Sequence, residues 1–215
     1  MYYNARQIEE DLHKLEEEQL ADSAKIIFEG PDEAFQLVAG VDVAYSEGVA
    51  YSAAVVLDDE LELVEKASAQ CVTEFPYIPG FLSYRELKPA KLAVDKLTDY
   101  DALMVNGHGL AHPRGFGLAS HLGLRIGKPT LGVARRLLVG DFAESHKDDT
   151  LVLFNGRIIG ARHVSPTGAP VYVSVGHMIS LDAAVELVRD YTIEGRLPEP
   201  LRLAHEFARM LMEKS

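Results

Sequence analysis

Three runs rich in β-forming residues follow one another near the start of the chain: residues 36–45, 49–57 and 61–73. Only a few residues separate them, including the acidic turn Asp58-Asp59-Glu60, so the chain can do little but reverse between them. They predict three consecutive antiparallel strands. The rhythm then changes. A helical stretch at 82–97, a short apolar strand at 102–105, a helix at 119–124 and a strand at 130–134 follow. A hairpin at 151–159 turns at Asn155-Gly156, a strong two-residue turn signal. A strand at 171–175, a helix at 181–191 started by Ser180 and a last helix at 201–212 complete the pattern. Antiparallel strands leading into alternating helix and strand predict an α/β fold: one mixed sheet, three antiparallel strands and then parallel ones, flanked by helices. An amphipathic helix at 5–28 precedes it, broken by Gly30-Pro31-Asp32.

With 215 residues, no linker and no repeat, residues 1–215 read as a single domain. Cys71 is the only cysteine, so a disulfide framework or a thiolate metal site is excluded within this chain. No apolar run approaches bilayer length and the N-terminus begins a polar helix, which predicts a cytoplasmic monomer without a membrane partner. The net charge of −12 argues against a nucleic-acid partner, because neutralising phosphates takes Lys and Arg. That charge is uneven: residues 85–162 hold 12 basic against 8 acidic residues, and the remainder 9 against 25. The asymmetry permits a basic groove, and a merely solvated surface accounts for it equally.

Asp42 interrupts the apolar strand Val38-Ala39-Gly40-Val41, where an unpaired carboxylate costs several kcal/mol. Strand ends and helix starts elsewhere supply candidates to compensate it in Glu86 and the Asn106-Gly107-His108-Gly109 turn, which could meet it across adjacent strands. Carboxylate and amide oxygens suit a hard cation such as Mg²⁺. An ion-paired or capping aspartate is the plainer alternative. No Gly-x-Ser-x-Gly elbow is present, and Gly107-His108-Gly109 lacks the third glycine of a dinucleotide loop. The connection Pro76-Tyr77-Ile78-Pro79-Gly80-Phe81-Leu82 is stiff and apolar, which fits either a wedge that unstacks bases or a rigid corner packed on the core.

Taken together, these motifs resemble the endonuclease V family. The resemblance runs from about Ala39 to His205. It rests on Gly40-Val41-Asp42-Val43-Ala44-Tyr45, on the connection from Pro76 through Tyr84-Arg85-Glu86, and on Asn106-Gly107-His108-Gly109-Leu110-Ala111-His112-Pro113-Arg114. It continues through Phe116-Gly117-Leu118-Ala119-Ser120-His121, Pro129-Thr130-Leu131-Gly132-Val133-Ala134, Val173-Ser174-Val175-Gly176-His177 and Leu197-Pro198-Glu199-Pro200. It implies a ribonuclease H-like fold and a Mg²⁺-dependent, or Mn²⁺-dependent, endonuclease. Such an enzyme hydrolyses the second phosphodiester 3′ to deoxyinosine in DNA, or acts beside inosine in RNA, leaving 3′-hydroxyl and 5′-phosphate ends. By the same resemblance Asp42, Glu86 and Asn106 hold the metal, and His205 and Arg135 complete the catalytic set. Tyr77, Ile78 and Pro79 form the wedge, His112 stands on the strand-contacting side, and Gly80, Leu82, Gly107 and Leu138 line the pocket for the turned-out base.

Two departures stand out. Asn106 occupies a place where the family has aspartate, and Arg135 one where it usually has lysine. The amide still offers an oxygen but no charge, which predicts weaker metal binding and lower activity. An inosine-recognising binding protein that does not cut is the alternative reading.

Overall fold

The computed structural model describes residues 5–30, 35–146 and 149–214, so the Pro31-Asp32 break lies outside the described residues. In chain order the elements are α1 (Ala5–Ser23), β1 (Val38–Ser46), β2 (Val49–Leu57), β3 (Leu63–Val72), α2 (Leu82–Val94), β4 (Ala102–Asn106) and α3 (Leu118–Ile126). There follow β5 (Thr130–Ala134), β6 (Asp141–His146), β7 (Asp149–Phe154), β8 (Arg157–Val164), β9 (Pro170–His177), α4 (Leu181–Asp190) and α5 (Glu199–Glu213). The strands form one sheet in the order β3-β2-β1-β4-β5-β9-β8-β7-β6.

The expected meander β1-β2-β3 is antiparallel, and β1, β4 and β5 run parallel beside it. The parallel part ends there. β9 returns antiparallel to β5, and β8, β7 and β6 continue antiparallel to the far edge. The Asn155-Gly156 turn has φ of +51° and +73°, the positive pair that a tight hairpin matching strand twist requires.

Period-two alternation sorts the core into two layers. On β4, Ala102 and Met104 pack beneath α4 and α5, while Leu103 and Val105 pack beneath α2 and α3. On β1, Val38 joins the first layer and Ala39 and Val41 the second. Asp42 therefore points to the α5 side and Tyr45 to the α2 side. α5 seats closely on β1: a Cβ at Gly40 would stand 2.4 Å from the Pro200 carbonyl carbon, so a side chain there would lift the helix away.

Most boundaries shift by a residue or a few, as for α2, which ends at Val94 instead of residue 97; the end of α1 and the strand β6 depart further. α1 stops at Ser23 instead of running to residue 28, although Ile26 and Ile27 continue the apolar spacing. Ile26 is buried, and Ile27 is held by its backbone: its N–H donates to His177 Nδ1 (3.3 Å) and its carbonyl accepts from the Met178 N–H (2.8 Å). Tertiary pairing overrides helical propensity here. β6 was not foreseen, because Asp141-Phe142-Ala143-Glu144 is too polar to read as a strand and forms one only at the sheet's edge.

Candidate active site

The last aligned pair of the parallel ladder between β1 and β4 is Val41 with Val105. The next residue on each strand, Asp42 in the middle of β1 and Asn106 at the carboxyl end of β4, sits where these two strands part. Asp42 is 8% exposed. Its Oδ1 accepts a hydrogen bond from Asn106 Nδ2 at 2.9 Å, and its Oδ2 lies 2.6 Å from His205 Nδ1 on α5. These two partners supply the compensation that a charge inside an apolar strand demands; a hydrogen bond to a charged group contributes roughly 1.5–3 kcal/mol.

Glu86 comes from α2, on the opposite face of the sheet. Burial, and then the charge of Asp42, push its carboxyl up to about 8, against smaller opposing pulls from Tyr45 and Arg85. The two carboxylates thus disfavour joint ionisation, the electrostatic condition that a hard divalent cation relieves. The donor set fits Mg²⁺: two carboxylates, plus an amide whose N–H is committed to Asp42 and whose carbonyl oxygen remains for coordination. Tyr45 adds a feature that sequence reasoning missed. Its buried hydroxyl comes near Glu86 without a hydrogen-bond partner among the described residues, and burial pushes its ionisation far above the phenol range. The Arg85 guanidinium lies 4.3 Å from the Tyr45 ring centre and donates to the Phe75 carbonyl at 2.7 Å, tying β1 to the segment before the wedge.

The 76–82 segment, expected from the sequence to act as a wedge, lies just before α2. Tyr77 and Pro79 are exposed, Tyr77 to 67%, and Ile78 is half-buried, with its carbonyl accepting from the Phe81 N–H to close the turn. Leu82 begins α2. Gly80 has φ of +79°, a backbone conformation that favours glycine, and its carbonyl accepts three donors: Gln19 Nε2 (3.2 Å), His112 Nε2 (3.1 Å) and an Arg114 terminal nitrogen (2.8 Å). Arg114 also donates to Gln19 Oε1 and Glu16 Oε1 and lies 4.5 Å from the Phe81 ring centre. His112 is buried at this clamp and does not touch Asp42. Burial, helped by the Arg114 charge, lowers it to about 4, so it is neutral at physiological pH. Gln19 was not singled out from the sequence; its position on α1 carried no local signal.

The glycine turn is shaped by close backbone approach. The Gly107 N–H donates to the Val133 carbonyl (3.1 Å) and the Gly109 N–H to Ser174 Oγ (2.9 Å), while a Cβ at Gly109 would stand 2.0 Å from the Val175 carbonyl oxygen. Both amides are therefore engaged in holding the turn. Arg135 stands exposed just past β5, where its carbonyl accepts from Arg196; Leu138, three residues on, is 43% exposed. The structure thus brings Asp42, Asn106 and His205 into contact with Glu86 within electrostatic reach, sets Tyr77 to Leu82 at the start of the helix that carries Glu86, and leaves Arg135 and Leu138 exposed past β5.

The family model described as Endonuclease V matches residues 18–206. Endonuclease V of Thermofilum pendens is 43% identical over 180 residues, 82% of this chain and 78% of that protein. Among solved structures, the catalytic domain of human endonuclease V superposes with a TM-score of 0.87 at 32% identity, covering 96% of this chain and 97% of that one. Endonuclease V of Ciona intestinalis, solved with a DNA containing an inosine followed by a ribo-adenosine, superposes at 0.84 with 25% identity, over 95% of this chain and 99% of that one.

Proposed function

The chain belongs to the endonuclease V family, and on that premise we propose that it is a cytoplasmic, monomeric, single-domain nuclease acting on inosine-containing DNA, and on inosine in RNA. It hydrolyses the second phosphodiester 3′ to the lesion. The reading rests on the convergence of Asp42, Glu86, Asn106 and His205 where β1 and β4 part, with the wedge leading directly into the helix that carries Glu86. The solved complex of the Ciona relative with inosine-containing DNA supports the choice of substrate.

Asp42, Glu86 and the Asn106 carbonyl would hold Mg²⁺ or Mn²⁺. Bound there, the cation supplies positive charge against the scissile phosphate and acidifies the attacking water. His205, held through Nδ1 by Asp42, keeps Nε2 as the nitrogen that holds or passes a proton. Asn106 orients the Asp42 carboxylate but brings no charge, so activity is lower than an aspartate there would give. Arg135, on the loop past β5, offers a cation to the phosphate backbone. The wedge residues Tyr77, Ile78 and Pro79 enter the stack, held rigid by the three donors on the Gly80 carbonyl. Leu82, Gly107 and Leu138 border the space for the turned-out base, and His112 fixes the wall formed by Gly80.

The test is cleavage of end-labelled DNA and RNA oligonucleotides, with and without one inosine, in Mg²⁺ or Mn²⁺, by this chain and by Asn106→Asp. Incision one nucleotide beyond inosine by either protein supports the reading. Tight inosine binding without incision by either establishes the binding-protein alternative.

A further inference from the structure

A second group of ligating side chains lies apart from Asp42 and shares no residue with it. Glu18 and Asp22 stand one turn apart on α1, on the same helix face, and His121 rises to them from α3; one ligand atom from each lies within 4.8 Å of the others. Glu18 is exposed, Asp22 is 6% exposed and His121 is 1% exposed.

His121 is the informative member. Both of its ring nitrogens are buried and neither has a hydrogen-bond partner among the described residues. A neutral imidazole always carries one N–H and one lone pair, so the side chain leaves both a donor and an acceptor unused inside the protein. Its ring is fixed by aromatic packing against Tyr84 (5.5 Å, edge-on) and Phe116 (5.1 Å). A histidine needed only to fill that aromatic pocket is better replaced by phenylalanine or leucine, which bury no polar atom. The two carboxylates within reach of the unused nitrogens give the imidazole a purpose.

From this arrangement we infer that Glu18, Asp22 and His121 form a binding site for a first-row transition-metal dication, with Zn²⁺ the best-fitting ion. Imidazole selects Zn²⁺ over Mg²⁺, and three protein ligands with one open position is a coordination that Zn²⁺ adopts. Metal–ligand distances of about 2.0–2.2 Å require the three atoms to draw somewhat closer than 4.8 Å, and the exposed Glu18 side chain has the freedom to do so. Two cations now lean on these carboxylates. Lys25 lies 2.6 Å from Asp22, and Arg125 lies 3.5 Å from Glu18 and 3.9 Å from Asp22; the Lys25 side chain is 62% and the Arg125 side chain 47% exposed, so both have room to swing away.

The site would fasten α1 to the body. α1 contributes Gln19 and Glu16, which hold Arg114 and the Gly80 carbonyl, and its Leu15 carbonyl accepts from the Tyr84 hydroxyl. Metal bound one turn away therefore stiffens the support of the Tyr77–Pro79 loop. That consequence draws on the proposed role of the wedge; the binding itself does not.

The experiment is a Zn²⁺ titration of the metal-stripped full chain against a chromophoric chelator, with excess Mg²⁺ present. It is run on the unaltered chain, on Glu18→Gln, on His121→Asn and on the double variant Asp42→Asn/Glu86→Gln. One zinc per chain is expected, retained in the double variant and weakened at least about tenfold by Glu18→Gln and by His121→Asn. Zn²⁺ should also raise the thermal midpoint of the unaltered chain and not that of Glu18→Gln. Because Glu18 is exposed, its variant keeps the fold even where His121→Asn does not. No zinc bound by the unaltered chain, zinc lost with Asp42→Asn/Glu86→Gln, or zinc unaffected by Glu18→Gln each overturns the site.

Discussion

Replacing Asn106 by aspartate should move stability in opposite directions with and without a divalent cation. The Asn106 Nδ2 donates to Asp42 Oδ1 at 2.9 Å. Asn106→Asp removes that donor and sets an oxygen of a second carboxylate against the first, with Glu86 as a third acid nearby. Two unit charges that close repel by about 6 kcal/mol at an effective dielectric constant of about 20. Uptake of a proton by one carboxyl relieves part of this, and the lost hydrogen bond adds about 1–3 kcal/mol. A net loss of about 3–5 kcal/mol in the metal-free protein corresponds, for a chain of this size, to a thermal midpoint lower by about 10 °C. In Mg²⁺ or Mn²⁺ the sign turns, because the added charge strengthens cation binding. The variant should therefore gain more from metal than the unaltered chain does, and should cut inosine-containing strands faster. Calorimetry with and without metal, beside the cleavage assay, reads all three effects. An unchanged metal-free midpoint would refute the Asn106–Asp42 contact; a metal response no larger than that of the unaltered chain would refute Asn106 as a cation ligand.

Other perturbations separate the wedge from the reacting groups. Arg114→Ala deletes one donor to Gly80 and the tie to α1, and should weaken lesion binding and cleavage together while leaving Mg²⁺ affinity unchanged; fluorescence anisotropy and metal titration distinguish the two. Gly109→Ala drives a Cβ to 2.0 Å from the Val175 carbonyl oxygen, an overpacking against backbone that should cost at least about 3 kcal/mol and be visible as a lower denaturation midpoint in urea. Gly48→Ala has no such neighbour, so its smaller cost should come from the positive φ alone. His112 gives a pH signature. Its pKa in the folded chain is about 4 against about 6.5 unfolded, so above pH 6.5 it is neutral in both states. As the pH falls from 6.5 to 4 the unfolded chain takes up a proton that the folded chain refuses, costing about 3 kcal/mol in all, with no further loss from this group below 4. His112→Gln should flatten that part of a stability profile.

The parts of this protein that were legible in the sequence are those where a local signal is strong. The β1-β2-β3 meander was visible because its turns are too short for another connection, and the β7-β8 hairpin because Asn155-Gly156 admits the positive φ pair. Asp42 stood out because a charge in an apolar strand needs a partner. The partners themselves were another matter: Glu86 was legible only as one candidate at a helix start, and His205 looks like an ordinary residue of an amphipathic helix that only the family resemblance singled out. Gln19 and Tyr45 gave no such signal, since their importance lies in what they approach across the fold. The end of α1 was overrun for the same reason. Ile27 satisfies its backbone with residues 177 and 178, and no local rule announces a pairing that distant.

The contact between Asp42 and His205 spans 163 residues. Its two halves are thus among the first and the last parts of the sheet-and-helix body to leave the ribosome. During synthesis the parallel strands can pair and the wedge can take shape, but the carboxylate lacks its histidine until α5 emerges and seats against Gly40. Long-range closure of this kind is slow to form compared with local turns. On the proposed function, an unfinished nascent copy lacks the Asp42–His205 contact, and incision should begin only once α5 is in place.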